Sequence, residues 1–559
     1  MTYGTMMYLK YNANGFCYVN GMQHRSDNRP SYICKLLKGE EHYTSFHWID
    51  KVKESYPDIA VDESSEYLFD EFKNNTGKLL KIKNTKEEEF SEKLLVESKL
   101  NVIPWLMQRK AALAMASSSS YYLADDVGLG KTISALLALI HLKSHGLVDR
   151  ALIVTTNITK YQWLDELNNI TKTGGFEGIL VTGDKEERKE AYSRDKFIYI
   201  TNYESLLRDY PDNFMCFPFQ AMVLDEAWKV KNSTTKINKL LKHIGYRIKY
   251  KYALNGTPMA NKFEELFGVF NVINPFLFLS WNNFSKRYVN YELFRLRNGR
   301  RFNKICGYKN LGELQDLIDP YVLRRCAGDV FTDRPSIGVS PYWVNLNKKQ
   351  RVAYDDIAKN TEMNPLEKTT YARVACLSSL PMEDNPKAIA LIEILKEVIP
   401  EEKTLIFSES KKYLILLLNH LKSSGIFCDL ISGDDSDETR LDKIAEFRSG
   451  NIQHLLMTAA GESGISLHPH NGNRGANIVI NLDLPWSPAR LQQRVGRVRP
   501  HLKGNGRAIR VFNIMSRHTI EEKVIVAINK KIGHFSRFFN EDVLDLTGVF
   551  DINTLVKQI

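Results

Sequence analysis

Long apolar runs, paired cysteines and low-complexity tracts are all missing from these 559 residues, and each absence removes a class of protein. No apolar stretch approaches the ~18 residues that cross a bilayer, and Tyr413–Leu421 (YLILLLNHL) is far too short, so no membrane partner is expected. The seven cysteines are scattered and include no CxxC pair, which argues against a disulfide framework or a zinc ribbon and for free thiols in a reducing compartment. The start, MTYGTMMYLKYNANG, lacks the basic beginning and apolar block of a secretory signal. An intracellular protein is therefore expected, cytoplasmic in a bacterial or phage-infected cell or nuclear in a eukaryote. With 43% hydrophobic and 25% charged residues and no Pro/Gly/Ser tract, the chain reads as globular, and its length calls for two or three domains.

Acidic charge is also in deficit, with 76 Lys/Arg against 66 Asp/Glu. Residues 1–100 hold 14 basic and 16 acidic side chains, so the excess, 62 against 50, lies in residues 101–559. A modest positive balance suits a polyanionic partner.

What is present begins at Tyr121–Ile140, YYLADDVGLGKTISALLALI: a buried strand, a glycine-bearing turn and a helix. Around Gly128 and Gly130, backbone N–H groups can point at phosphate oxygens, where a side chain at Gly130 would crowd the anion. The following helix aims its N-terminus at the same place. Lys131 would reach the β- and γ-phosphates and the Thr132 hydroxyl would ligate Mg²⁺. Ile133, Leu136, Leu137 and Ile140 share one helix face, and Gly146 is placed to stop it. The general phosphate-loop pattern begins with glycine; here that position is Asp125.

A second element, Gln220–Asn232 (QAMVLDEAWKVKN), sets Asp225-Glu226 directly after the apolar strand Ala221–Leu224, 94 positions beyond Lys131. A carboxylate at a strand's C-terminal end sits at the ligand edge of a parallel sheet. Asp225 can hold Mg²⁺ through water and Glu226 can polarise an attacking water. Further strands, ALIVTT (151–156), FIYIT (197–201) and KYALNGTP (251–258), alternate with helical stretches.

In this order the segments resemble the core of superfamily 2 helicases, specifically the Swi/Snf-like DNA translocase branch, over roughly residues 101–540. In that family the phosphate loop usually begins with Asp, which accommodates Asp125. The resemblance places Gln108, in IPWLMQRKAALAMA, as an adenine-reading glutamine. It makes LIVTTNITKYQWLDEL (152–167) and ITNYESL (200–206) DNA-contact segments, with Thr155, Trp163 and Asn202 as expected contacts. ALNGTPMANKFEELFGVFNVINP (253–275) resembles the segment coupling nucleotide state to DNA. YVLRRCAGDV (321–330) resembles the Arg-Arg element entering the second lobe. Trp228 stands where relatives commonly carry histidine.

A second strand–helix alternation begins near Asn385, without a phosphate loop: TLIFS (404–408), CDLISG (428–433), HLLMTAAGESGISL (454–467), ANIVINLD (476–483) and IRVFNIM (509–515). In TAAGESGISL the expected DNA contacts are Thr458 and Ser463. In LQQRVGRVRP (491–500), guanidinium groups facing the first lobe can neutralise charge on a transferred phosphoryl group. The resemblance makes Arg497 the arginine finger and Gln493 a nucleotide contact. The family's next arginine falls three positions later, where this chain has Pro500, with Arg499 one step earlier as its replacement.

Outside that core, Met6–Asn20 suggests a small β-hairpin and Glu66–Phe90 a charged helix, either a docking domain or a scaffold for the first lobe. Tyr291–Asn310 carries the hairpin signal Asn298-Gly299 amid Arg295, Arg297, Arg300, Arg301 and Lys304, interleaved with Phe294, Phe302 and Tyr308. Arg300 and Arg301 are expected DNA contacts, against the plainer reading of a solvated basic ribbon. LHPHNGNRG (467–475) reads as a loop, not a metal site.

The expected fold is α/β: two tandem RecA-like parallel-sheet lobes with a small N-terminal accessory α+β domain. The expected parts are an accessory domain (1–100), lobe 1 with the basic hairpin (101–325), a helical linker (326–385), lobe 2 (386–540) and a tail (541–559). The resemblance implies a DNA-dependent ATPase, using ATP and Mg²⁺, that translocates as a monomer on duplex or branched DNA, in fork reversal, branch migration or annealing. The alternatives are a motor subunit of a restriction, defence or remodelling complex, and a nucleotide-gated DNA-binding protein that has lost hydrolysis.

Overall fold

The computed structural model describes residues 8–11, 17–20, 34–35, 42–44, 46–55, 60–61, 63–85, 100–171, 176–210, 219–256, 258–259, 262–295, 299, 301–330, 336–378, 381–399, 402–461, 467, 475–498, 508–539 and 547–548. The chain divides into two compact units, Met1–Arg325 and Cys326–Ile559.

In the first unit, β1 (Tyr8–Tyr11) and β2 (Cys17–Asn20) form the antiparallel hairpin expected of Met6–Asn20. With β3 (Cys34–Lys35), β4 (His42–Thr44) and β5 (Ala60–Val61) they make a sheet in the order β3-β4-β2-β1-β5. The charged stretch that follows is the helix Glu63–Asn84. It lies against the helix Leu106–Ala116 and the turn Asp319–Tyr321, where Lys83 Nζ donates to the Asp319 carbonyl at 2.8 Å. Residues 1–100 thus belong to the same unit as the first lobe.

The main sheet of this unit is built from β6 (Ser120–Leu123), β7 (Ala151–Thr155), β8 (Gly178–Leu180), β9 (Ile198–Asn202), β10 (Ala221–Leu224) and β11 (Tyr250–Leu254). Next come β12 (Val289–Arg295) and β13 (Arg301–Tyr308), paired with each other as an antiparallel ribbon. The Asn298 half of its turn signal lies outside the described residues. β14 (Val322–Leu323) then closes the main sheet, in the order β14-β6-β11-β10-β7-β9-β8 and parallel throughout. Its strands are continuous apolar runs because helices cover both faces; Tyr121–Leu123, Leu152–Val154 and Met222–Leu224 have no exposed surface. The helix Lys131–Ser144 buries the expected Leu136, Leu137 and Ile140, and also Ala135, Ala138 and Leu139, since a second helix, Leu106–Ala116, packs against it.

The second unit contains β15 (Ile337–Val344), β16 (Thr404–Phe407), β17 (Cys428–Ile431), β18 (His454–Met457), β19 (Ile478–Asn481) and β20 (Ile509–Ser516). They pair in parallel in the order β15-β20-β19-β16-β18-β17. The reading of 326–385 as a helical linker needs correction. It does hold the helices Lys348–Lys359 and Pro365–Leu377, but β15 pairs along its whole length with β20. Pro341, which lacks an N–H, is tolerated there because β15 is an edge strand. The buried Lys387 crosses the core of this unit: its ammonium donates to the carbonyls of Leu482 (2.6 Å) and Ile514 (3.1 Å) and pairs with Glu521 at 2.7 Å. Among the described residues no helix is long and apolar enough to cross a membrane.

Candidate nucleotide site and nucleic-acid interface

At the C-terminal edge of the first sheet, β6 and β10 lie either side of β11. The Lys131 loop and Asp225 therefore leave strands about 10 Å apart, twice the usual strand spacing. The loop between β6 and the helix Lys131–Ser144 turns through Gly128 (φ +90°) and Gly130 (φ +73°), backbone conformations that glycine adopts without strain. Gly130 is also a close approach, since a Cβ there would collide with the Gln108 amide. Gln108 is buried, and its Oε1 accepts from the Trp105 N–H at 3.1 Å, so one side of the amide caps its own helix while Nε2 faces the loop.

Lys131 folds back onto its loop, donating to the carbonyls of Asp125 (2.8 Å) and Asp126 (3.1 Å). Burial pulls its pKa below the ordinary lysine value, while Asp125, Glu226, Asp126 and Asp225 act to hold the ammonium charged. Gly256, just past β11, is a second close approach: a Cβ there would lie 2.7 Å from Val127 Cγ2, with Lys131 Nζ at an ordinary contact distance of 3.6 Å. Thr132 is half-buried in the first turn of the helix.

The Asp125 carboxylate has a different employment from that of a ligand contact. It is buried and paired with the Arg325 guanidinium, and it also accepts from the Arg325 backbone N–H at 3.1 Å. Arg325 further donates to the Met107 carbonyl (3.0 Å), and Arg324 to the carbonyls of Ala124 (2.8 Å) and Gly256 (2.9 Å). The Arg-Arg element thus ties together the start of the phosphate loop, the end of β11 and the helix that carries Gln108.

Asp225 ends β10 and is 9% exposed. Its Oδ2 accepts from Thr155 Oγ1 and Trp163 Nε1, both at 2.8 Å, and its Oδ1 from the Glu226 N–H at 2.9 Å. All three donors are neutral. Glu226 sits at φ +50°, a left-handed conformation costing about 1–2 kcal/mol for a residue with a Cβ. Its carboxylate accepts from the Trp228 indole at 2.9 Å. The tryptophan in the usual histidine position therefore orients the glutamate beside it. Gly268 lets the helix Glu264–Ile273 pass against Lys231, where any Cβ would strike backbone.

Four of the residues expected to contact DNA are buried. Thr155 and Trp163 have no exposed surface and spend their polar atoms on Asp225. Asn202 is buried, capping the helix Tyr203–Asp209 through the Ser205 N–H (2.7 Å). Thr458 is 8% exposed at the end of β18. The exposed residue joining the first two segments is Asn157, which accepts from Asn202 Nδ2 (3.0 Å) and Lys160 Nζ (2.8 Å); its position in a loop gave no sequence signal. Arg301 is exposed on the ribbon. Arg300, Ser463 and Arg499 lie outside the described residues.

In the second unit, the helix Pro488–Gly496 buries Gln493 and Arg494 and ends at the half-buried Arg497. Arg494 fixes this helix, donating to Asn481 Oδ1 (3.0 Å) and the Asp483 carbonyl (2.8 Å).

Residues 98–390 match the SNF2-related domain and residues 386–500 the helicase conserved C-terminal domain. The chain belongs to the SNF2-related family. It is 26% identical over 477 residues to the uncharacterized ATP-dependent helicase YqhH of Bacillus subtilis, covering 78% of this chain and 79% of that one. Identity is 25% over 460 residues to the ATP-dependent DNA helicase DDM1 of Arabidopsis thaliana, and 24% over 441 to the mouse SWI/SNF-related matrix-associated actin-dependent regulator of chromatin subfamily A member 1. Those alignments span 73% and 72% of this chain but only 58% and 40% of the two relatives. Among solved structures, the SWI2/SNF2 ATPase core of Sulfolobus solfataricus in complex with dsDNA matches 84% of this chain and 99% of that one, at 22% identity and a TM-score of 0.40. The expected resemblance to the Swi/Snf-like branch is borne out, and the SNF2-related domain followed by the helicase C-terminal domain is that of an ATP-hydrolysing helicase or translocase.

Proposed function

We propose that this SNF2-related chain is a DNA-dependent ATPase that turns hydrolysis into movement along duplex or branched DNA, in fork reversal, branch migration or annealing. The observation that carries the reading is the edge of the first sheet, where Lys131, Asp225 and Glu226 converge beside a glycine cradle. Backbone N–H groups of the loop and the Lys131 ammonium hold the ATP phosphates. Gln108 meets the nucleotide from the helix behind the loop. Thr132 and Asp225 fit Mg²⁺, offering a hydroxyl and a carboxylate whose three hydrogen-bond donors are neutral. When bound, the ion supplies charge neutralisation at the phosphate oxygens. Glu226, oriented by Trp228, takes the proton side of water activation. Gln493, Arg497 and Arg499 complete the nucleotide contacts, with the arginines balancing charge on the transferred phosphoryl group.

The test is ATP turnover measured alone and with single-stranded, duplex, forked and four-way DNA. Stimulation by DNA is expected, and indifference to every DNA overturns the reading. Lys131→Ala should weaken nucleotide binding, Glu226→Gln should bind ATP and hold it unhydrolysed, and Arg497→Ala should lower kcat by ~10³-fold or more with little change in affinity. A Glu226→Gln enzyme with wild-type kcat removes the water-activating role.

A further inference from the structure

The β12–β13 ribbon is anchored firmly at one end and exposed along the rest. At its root Val289 is buried, the Tyr308 ring meets Phe263 at 4.8 Å edge-on, and the Tyr308 hydroxyl binds the Glu264 carboxylate. Beyond the root, Tyr291 (41%), Leu293 (61%), Phe294 (37%) and Phe302 (45%) are all exposed. A two-stranded ribbon is marginally stable by itself, and cross-strand pairing of these side chains adds only about 0.2–1 kcal/mol a pair while they face water.

The register sorts these side chains onto two sides, because successive residues of a strand point oppositely. Arg295↔Arg301, Leu293↔Asn303 and Tyr291↔Ile305 share one side; Phe294↔Phe302 and Glu292↔Lys304 share the other. The two phenylalanine rings lie 5.9 Å apart and tilted by 31°, with Lys304 Nζ 4.7 Å from the Phe294 centroid. Between Tyr291 and Tyr308 the sequence has five Lys/Arg against the single Glu292. One side therefore offers two guanidinium groups beside Leu293 and Tyr291, and the other an aromatic pair in which the Lys304 ammonium covers one face of Phe294 and Phe302 is left exposed. That division matches a polyanion whose bases are accessible: phosphates for the arginines, base faces for the rings.

We propose that this ribbon reads unpaired bases in DNA, with Phe294 and Phe302 stacking on bases where strands part and Arg295 and Arg301 holding the flanking backbone. It rests on the DNA-translocase reading and sharpens it, since it makes the preferred substrate a junction with exposed bases rather than plain duplex. The root couples this platform to the motor: Glu264, which anchors Tyr308, begins the helix that packs against Lys231 behind the Asp225-Glu226 turn.

The experiment measures equilibrium binding of the full chain by fluorescence anisotropy, without nucleotide. Three probes of equal length are used: a blunt duplex, a forked duplex, and the same fork with abasic sites at its first unpaired positions. The wild-type chain is expected to favour the fork by about tenfold, a single base stack's worth, and to lose that preference on the abasic fork. Phe294→Ala with Phe302→Ala should abolish the preference while leaving duplex affinity and basal ATPase unchanged. The corresponding Trp pair should keep it, which separates stacking from a folding defect. Arg295→Ala with Arg301→Ala should weaken fork and duplex alike and reduce the slope of log affinity against log salt by about two. An alanine pair that still favours the fork, or a wild-type chain indifferent to the missing bases, overturns the proposal. DNA-stimulated turnover in the wild type, measured in parallel, shows whether such a failure touches the ribbon alone or the translocase reading beneath it.

Discussion

Each unit places a buried aspartate just beyond a central strand of its parallel sheet, and the two sit in different electrostatic settings. Asp225, after β10, is held by a hydroxyl, an indole N–H and a backbone N–H. Asp483, after β19, is held by the Ser408 hydroxyl (2.6 Å) and the Glu409 N–H (3.0 Å), and it has two arginines beside it, Arg373 and Arg494, each at 3.8 Å. The hydrogen-bonding frames are alike and the charge balance is not. The second unit sets two guanidinium groups beside its carboxylate, whereas the hydrogen-bond donors to Asp225 are all neutral and Lys131 acts on it through space. On the proposed function, the same strand-end position serves the nucleotide site in one unit and internal cohesion in the other.

The sharpest break of this comparison is a matched pair of substitutions. Asp225→Asn should cut turnover by ~10²–10⁴-fold, the range lost with an active-site acid–base or charge partner, and cost little stability. Asp483→Asn should do the reverse. It leaves the fully buried Arg494 without its carboxylate, and losing one partner of a buried pair costs about 3–5 kcal/mol. Chemical denaturation alongside steady-state kinetics reads both. If Asp225→Asn proved the more destabilising and Asp483→Asn the slower, the assignment of the two carboxylates would be reversed.

A smaller effect is expected at the link between the phosphate loop and the end of the first unit. Arg325→Ala strands the buried Asp125 carboxylate and should weaken ATP binding together with stability, by about 2–3 kcal/mol in the latter. Arg325→Lys should restore only part, because an ammonium cannot reproduce the guanidinium's forked contacts. Adding Asp125→Asn to Arg325→Ala should cost less than the two separate losses combined, since the pair acts as one interaction. Strict additivity would show that Arg325 acts elsewhere.

The residues that sequence reading found are those whose chemistry is local. The Gly-Lys-Thr turn, the Asp-Glu after an apolar strand, the N-terminal hairpin and the basic ribbon each announce themselves within some twenty residues. What escaped it depends on chain segments meeting from afar. Arg325 and Asp125 are 200 positions apart, and Trp163 reaches Asp225 across 62. Thr155 and Trp163 stand in segments that resemble DNA contacts, yet strand β7 turns the threonine inward and the helix Thr159–Ile170 buries the tryptophan. β15 was hidden for another reason: its Pro341 reads as a strand breaker, and only its edge position makes it permissible.

The smallest expected effect tests whether the two units respond separately to acid. His47, which meets Tyr321 OH at 3.1 Å where the N-terminal segment packs on the first lobe, has its pKa lowered by burial from 6.5 to about 3. In the second unit His454, hydrogen-bonded to Thr404 Oγ1 at 2.9 Å, is lowered by burial to about 4. Both are neutral when folded at pH 7. Below pH 6.5 the unfolded chain takes up a proton that the folded one refuses, so stability falls as pH drops from 6.5 toward the folded values. At pH 5.5 that amounts to about 1 kcal/mol for each histidine. Amide hydrogen exchange followed on peptides from each unit resolves the two. His47→Gln should flatten the acid dependence of protection around residues 46–85 and 319–321 and leave that of β16 and β18 unchanged, while His454→Gln should do the converse. A substitution in one unit that flattened the acid dependence of both would show that the units unfold as one body, and the separate charge balances at Asp225 and Asp483 would then have to be read as parts of a single cooperative fold.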